Sequence, residues 1–344
     1  MRRMAALVFL LLLLLTTCLS GCAGGPQSRE SGAAAVVSVL GVEQAGAGLR
    51  LWAAAEGRGQ EGPFHAAGQG ATPAAAVENL GNRGDQVVSC AHVEHLLVAQ
   101  TAAGALPEFL SYAFQEPQQS TESQLWLVRS DSLKETFAGE ADPARRMEVI
   151  KAQGKNRQGF CPVTLREAAA ALARGEDLLI PFLEPGDQGL SFGGFALYQE
   201  GTVTRWLTGK EALGAALLLG DRVHWTGSVQ DRAMVLQSTG CRVSPRFEGD
   251  QLTGLSLRCS LEGVLTGGWK GREADVSHLE QETAQAMSAA LKALQGAGAD
   301  AASLLGRAGL AKPIRWQSLS SQWQEGFPVL PAEITVTITV AERQ

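Results

Sequence analysis

Hydrophobic and polar residues alternate in short blocks along most of this chain, and the period of the blocks changes repeatedly. Residues 34–43 (AAVVSVLGVE) and 48–56 (GLRLWAAAE) read as two strands joined by a Gly-rich turn at 44–47. A loop rich in Gly and charge follows; Thr72 then caps, and Pro73 opens, a helix reaching about Asn82. Residues 86–99 (QVVSCAHVEHLLVA) form a β-branched run suited to one buried strand. Leu106, Phe109, Leu110, Ala113 and Phe114 recur at the spacing of one helical stripe. Residues 123–130 (SQLWLVRS) are a further strand, with Ser130 capping a helix through Phe137. The charge-dense segment 139–157 reads as a surface loop or short helix.

Thr164 and Glu167 form a capping box at the start of a helix ended by Gly175. Residues 177–189 (DLLIPFLEPGDQG) give a strand and then a Pro/Gly break, which sets a boundary between an N-terminal α/β region, 34–185, and a C-terminal domain, 190–344. Past it comes a hairpin turning at Glu200 and Gly201, and a second capping box, Thr208 with Glu211, opens a helix to Leu219. Several strands follow between 222 and 267. The longest helix runs from about Asp275 to Gln295, with Leu279, Thr283, Met287, Ala290 and Leu294 along one side. At the end Ile334, Val336, Ile338 and Val340 alternate with Thr335, Thr337 and Thr339, a strand with one buried and one hydroxylated face. The fold class is α/β (α+β): mixed sheets packed with helices, in more than one domain.

The N-terminus is different in kind. Arg2 and Arg3 precede a wholly apolar run from Met4 to Leu15, which is a secretory signal layout. A membrane span needs about 20 apolar residues, and this run is too short. Leu19-Ser20-Gly21-Cys22 resembles the bacterial lipobox, so residues 1–21 read as a lipoprotein signal peptide and Cys22 as the acylated first residue of the mature chain. Each buried CH₂ contributes about 0.8 kcal/mol and one chain alone holds only marginally. A diacylated or triacylated Cys22 therefore keeps the body on a membrane. Residues 22–33, small and polar, read as a flexible tether to an extracytoplasmic body.

The 35 acidic residues against 29 basic ones, a net charge of −6, and the absence of any basic block exclude nucleic-acid binding and electrostatic adhesion to anionic lipid. The lipid does the anchoring. Four cysteines remain beyond the anchor: Cys90, Cys161, Cys241 and Cys259. Residues 241–259 read as a hairpin about Gly249 and Asp250, whose register sets Cys241 opposite Cys259. Two readings stand for that pair: a cross-strand disulfide, or two small apolar thiols in a core.

Candidate chemistry is sparse. On a single strand Cys90, His92 and Glu94 would project to one face, and all three side chains bind zinc. The fragment His92-Val93-Glu94 echoes the H-x-E of zinc deaminases, but the P-C-x-x-C that those enzymes require is missing: FCPVT around Cys161 has the wrong order. His65, His224 and His278 form no cluster, and no G-x-S-x-G elbow is present. No metal site, cofactor or catalytic set is expected.

A family resemblance rests on the tail. Asp300, then Pro313, Trp316, Trp323 and Phe327 in KPIRWQSLSSQWQEGFPVL, followed by AEITVTITV, resemble the C-terminal domain of the spore germinant-receptor C subunits, the Ger(x)C lipoproteins. GGFALYQEGTVTRWLTGKEALGAALLLGD is similar to the opening of that domain, and residues 89–130 to a strand, helix and strand block of the N-terminal half. The chain departs from the family at Glu43, where an aspartate is more usual. Trp316, Trp323 and Phe327 share one helical stripe, either packed into a core or forming a surface for a partner. The resemblance implies a non-enzymatic, lipid-anchored subunit of a nutrient receptor on the outer face of the spore inner membrane, beside integral membrane A and B subunits. The alternative is an extracytoplasmic solute-binding lipoprotein serving a transporter.

Overall fold

The computed structural model describes residues 34–55, 64–81, 87–116, 119–138, 142–156, 162–187, 189–220, 222–229, 232–265 and 273–341. The expected signal peptide, Cys22, the tether and Cys161 lie outside them. The strands are β1 (Ala34–Val36), β2 (Val39–Ala45), β3 (Gly48–Ala55), β4 (Phe64–Gly70), β5 (Val87–Ser89), β6 (His95–Ala99), β7 (Gln124–Val128), β8 (Val163–Thr164), β9 (Leu178–Gly186), β10 (Gly189–Gln199), β11 (Thr202–Leu207), β12 (His224–Val229), β13 (Arg232–Glu248), β14 (Gln251–Leu265) and β15 (Ala332–Ala341). The helices are α1 (Pro73–Gly81), α2 (Leu106–Gln115), α3 (Lys134–Ala138), α4 (Pro143–Asn156), α5 (Leu165–Ala173), α6 (Gly209–Leu219), α7 (Glu273–Gly296), α8 (Leu304–Ala311) and α9 (Trp316–Gly326).

A nine-stranded mixed sheet runs in the order β11-β10-β9-β7-β6-β2-β3-β4, with β8 joined to β7. Its middle is parallel, β2 with β6, β6 with β7 and β7 with β9, and the flanks are antiparallel hairpins. Central strands buried on both faces are apolar nearly throughout; β6 is buried at every position, and only its first residue, His95, is polar. One face packs on α1, α2 and α5 through Ala76, Leu80, Phe109, Leu110 and Ala168. The other buries Leu97, Trp126, Phe137, Met147 and Ile150, and this core runs on through α6 and α7 into a four-stranded sheet, β12-β13-β14-β15. From Ala35 onward the described chain is one compact unit. Among the described residues no helix is long and apolar enough to cross a membrane.

Many local signals act as expected. Thr164 accepts from the Glu167 N–H, and the Glu167 carboxylate accepts from the Thr164 N–H. Glu200 and Gly201 both take positive φ, as a two-residue hairpin turn requires. Leu279, Thr283, Met287, Ala290 and Leu294 are buried along α7. The last strand is the edge of its sheet, pairing in parallel with β14, and it buries Val336 and Ile338 while Thr335, Thr337 and Thr339 face out.

Several expectations are corrected. The run 86–99 is two strands: β5 pairs with β1 and β6 enters the large sheet, because the chain turns at residues 91–92. The loop expected before Thr72 contains β4. Its glycines have a packing reason, since a Cβ at Gly68 or Gly70 would strike the backbone of α1. The charged segment 139–157 carries a 14-residue helix, α4, which buries Ala144, Met147 and Ile150. The second capping box does not form: the Glu211 N–H donates to the Thr208 carbonyl at 3.1 Å rather than to its hydroxyl, and the Glu211 carboxylate turns to Arg205 at 2.7 Å. Ser130 bonds Ser132, and the N-terminus of α3 is capped by Glu43, described below. The Pro185–Gly189 break falls inside the β9–β10 hairpin, and the large sheet continues through it. Proline and glycine mark tight turns as readily as linkers.

Candidate functional site

The turn at residues 91–92 disperses the zinc triad suggested by the sequence. Cys90 is half-buried, and His92 and Glu94 are exposed. The buried histidine of this segment is its neighbour His95, the first residue of β6, only 1% exposed. The Trp126 indole N–H donates to His95 Nδ1 at 3.2 Å. His95 Nε2 points toward Glu148 Oε1 on α4 at 3.6 Å, beyond hydrogen-bonding distance. Lys151 Nζ lies 2.5 Å from Glu94 Oε2 and 3.3 Å from Glu148 Oε1.

The electrostatics follow from this placement. Burial, reinforced by the Lys151 ammonium, lowers the His95 pKa, and the ring is neutral. The hydrogen bond from Lys151 lowers the Glu94 carboxyl and raises the Lys151 ammonium in turn. Ligand atoms of Glu94, His95 and Glu148 all lie within 4.8 Å of one another. Yet a neutral imidazole carries one proton, and Nδ1 is already an acceptor, so the proton sits on Nε2. That makes Nε2 a donor aimed at Glu148, while Lys151 already supplies the positive charge between the two carboxylates. The donor set does not suit a cation; it ties α4 to the sheet.

Glu43 is the one buried carboxylate among the described residues of this half, 3% exposed. One oxygen accepts from the Leu133 N–H at 2.6 Å and from Ser132 Oγ at 3.0 Å, and the other meets Arg50 at 3.1 Å. A side chain remote in sequence thus caps α3, where a negative charge is favoured.

In the C-terminal half the aromatic stripe divides. Leu319, Trp323 and Phe327 are buried, with the Trp323 and Phe327 rings stacked at 5.2 Å. Trp316 is 47% exposed and lies against Gly309. Asp300 caps α8, accepting the Leu304 N–H at 2.7 Å and the Leu305 N–H at 2.8 Å; burial nevertheless raises its carboxyl to about 6.

Cys241 and Cys259 are cross-strand partners in β13 and β14, as the hairpin register predicts. Both are free thiols here, Cys259 buried and Cys241 half-buried. Burial raises both, Cys259 to about 12, while Arg307 opposes the shift. The Cys241 carbonyl accepts from Arg307 and so faces away from β14. That is the geometry of a non-hydrogen-bonded pair, in which the strands approach most closely, to about 4.5 Å between Cα atoms, within a disulfide's span.

The architecture is therefore that of a mixed α/β protein in which two sheets share a continuous core, and its polar clusters serve as ties between elements. No protein-family profile matches the sequence, and no curated protein matches it. Among solved structures, the crystal structure of the GerBC protein has the same fold: the TM-score is 0.57, covering 88% of this chain and 97% of that one, at 12% identity.

Proposed function

We propose that this chain is a lipid-anchored, non-catalytic subunit of a nutrient germinant receptor, held on the outer face of the inner membrane of a bacterial spore. It works there by docking to integral membrane A and B subunits. The observation that carries this reading is the likeness to the GerBC protein over most of both chains, rather than over one shared module. The lipobox at Leu19-Ser20-Gly21-Cys22 supports it independently, since it supplies the tether such a subunit needs. The buried polar groups, Glu43, His95 and Asp300, support it too: each caps a helix or ties elements together. Deleting the gene is expected to abolish germination in response to particular nutrients. Normal germination of such spores, in a strain with no paralogue, would overturn the proposal. Cys22→Ala is expected to block acylation and release the body from membranes.

A further inference from the structure

A groove of about 950 Å³ lies between the β13–β14 hairpin and the C-terminal end of α8. Arg242, Arg258, Arg307 and Lys312 line it, with Thr239, Ser244 and Ser260 between them, and among the described residues no acidic one does. In a chain of net charge −6 this is a local reversal. Arg242 stands directly opposite Arg258 in the β13–β14 register, an arrangement that destabilises a sheet. Nearby on β13, Arg246 is answered by Glu333 at 3.1 Å; among the described residues Arg242, Arg258 and Lys312 have no ion pair. Arg307 is fixed by donating to the Leu218 and Cys241 carbonyls. The acids of the hairpin, Glu248, Asp250 and Glu262, lie outside the lining, and Asp250 is paired with Arg315.

Exposed apolar side chains stand beside these cations. Leu310, which lines the groove, is 85% exposed; just past Lys312 along the chain, Ile314 is 97% exposed and Trp316 47%. Half of the large apolar side chains exposed among the described residues thus fall within seven positions, beside the unpaired cations. Cations that attract anionic headgroups, combined with aliphatic and indole side chains that enter the acyl boundary, are the chemistry of an interfacial membrane contact.

We infer that the corner built from Arg242, Arg258 and Lys312 with Leu310, Ile314 and Trp316 rests on an anionic phospholipid bilayer, a phosphate headgroup entering the groove. The inference takes its setting from the tethered subunit proposed above, but it concerns the orientation of the body, which an acyl anchor at one residue does not itself specify. Sequence reading excludes electrostatic adhesion because no basic run exists; the fold assembles the patch from three separate stretches of the chain, at 242, 258 and 310–316.

The test uses the full lipidated chain with vesicles of phosphatidylcholine alone or mixed with phosphatidylglycerol, read by flotation and by amide hydrogen exchange. Flotation with phosphatidylcholine reports the anchor. Exchange protection of residues 310–316 on phosphatidylglycerol vesicles only, lost as salt rises, reports the docked corner. At about fivefold per cation near an anionic surface, Arg242→Gln, Arg258→Gln and Lys312→Gln together weaken docking roughly a hundredfold. Ile314→Glu also removes the protection. Equal protection on both vesicles, none on either, or full protection in the triple variant would overturn the inference. A chain that floats only with phosphatidylglycerol and is protected there removes the anchor and upholds the docked corner.

Discussion

Asp300 offers a sharp test of the physical account, because its environment sets a pH dependence of known sign. Burial raises its carboxyl from an ordinary 3.8 to about 6, against the two backbone N–H groups that favour the anion. Between roughly pH 4 and 6 the folded chain therefore holds a proton that the unfolded chain has released. This contribution to stability is complete below about pH 4 and is lost as pH rises through 6. At about 1.4 kcal/mol for each pH unit, the gap amounts to about 3 kcal/mol. Asp300→Asn abolishes the titration; one amide oxygen replaces two acceptors, so the variant also loses a hydrogen bond, a pH-independent offset of about 1 kcal/mol. Urea unfolding of both proteins from pH 4 to 7 is expected to show the wild-type advantage falling by up to about 3 kcal/mol. A difference that stays constant or grows with pH would refute the reasoning.

Three further outcomes are expected. Trp323→Ala removes a buried ring stacked on Phe327 and should cost about 3–5 kcal/mol in chemical denaturation, against less than about 1 kcal/mol for Trp316→Ala; the reverse order would take Trp323 out of the core. Gly214→Ala should destabilise by about 1–3 kcal/mol despite alanine's better helix propensity, because the new Cβ would collide with the Ala286 carbonyl where α6 meets α7; a gain in melting temperature would contradict that close approach. In the folded chain isolated without reductant, at pH 8, Cys241 and Cys259 should resist alkylation and then react in urea. Resistance that persists in urea until a reductant is added would identify a native bridge.

What sequence reading recovers here are features whose cause is local. The Thr164–Glu167 box, the turn at Glu200 and Gly201, the α7 stripe and the pairing of Cys241 with Cys259 each depend on a few neighbouring residues. The failures share the opposite property. β4 has no β-branched residue, and its strand conformation comes from pairing with β3 and from the close approach of α1. The apolar run 86–99 hides a turn at 91–92, since small and polar residues there suit a strand as well. In α4 three buried side chains spaced three apart were too few to outweigh its charges. Glu43 shows no sign in sequence that it caps a helix 90 residues onward, and the cations of the groove are scattered from Arg242 to Lys312.

The parallel pairing of β14 with β15 carries a kinetic consequence. β13 and β14 form a local hairpin, whereas β15 joins β14 only after α7, α8 and α9 have been laid down between them. Closing so long a loop is slow compared with zipping a hairpin. In refolding, β14 therefore waits with one ladder edge unsatisfied and Leu255, Leu257 and Leu261 uncovered, and pulse-labelled amides should become protected in β13 well before β15. During that interval the half-built sheet is most open to intermolecular pairing, so aggregation should be governed by the arrival of the final strand.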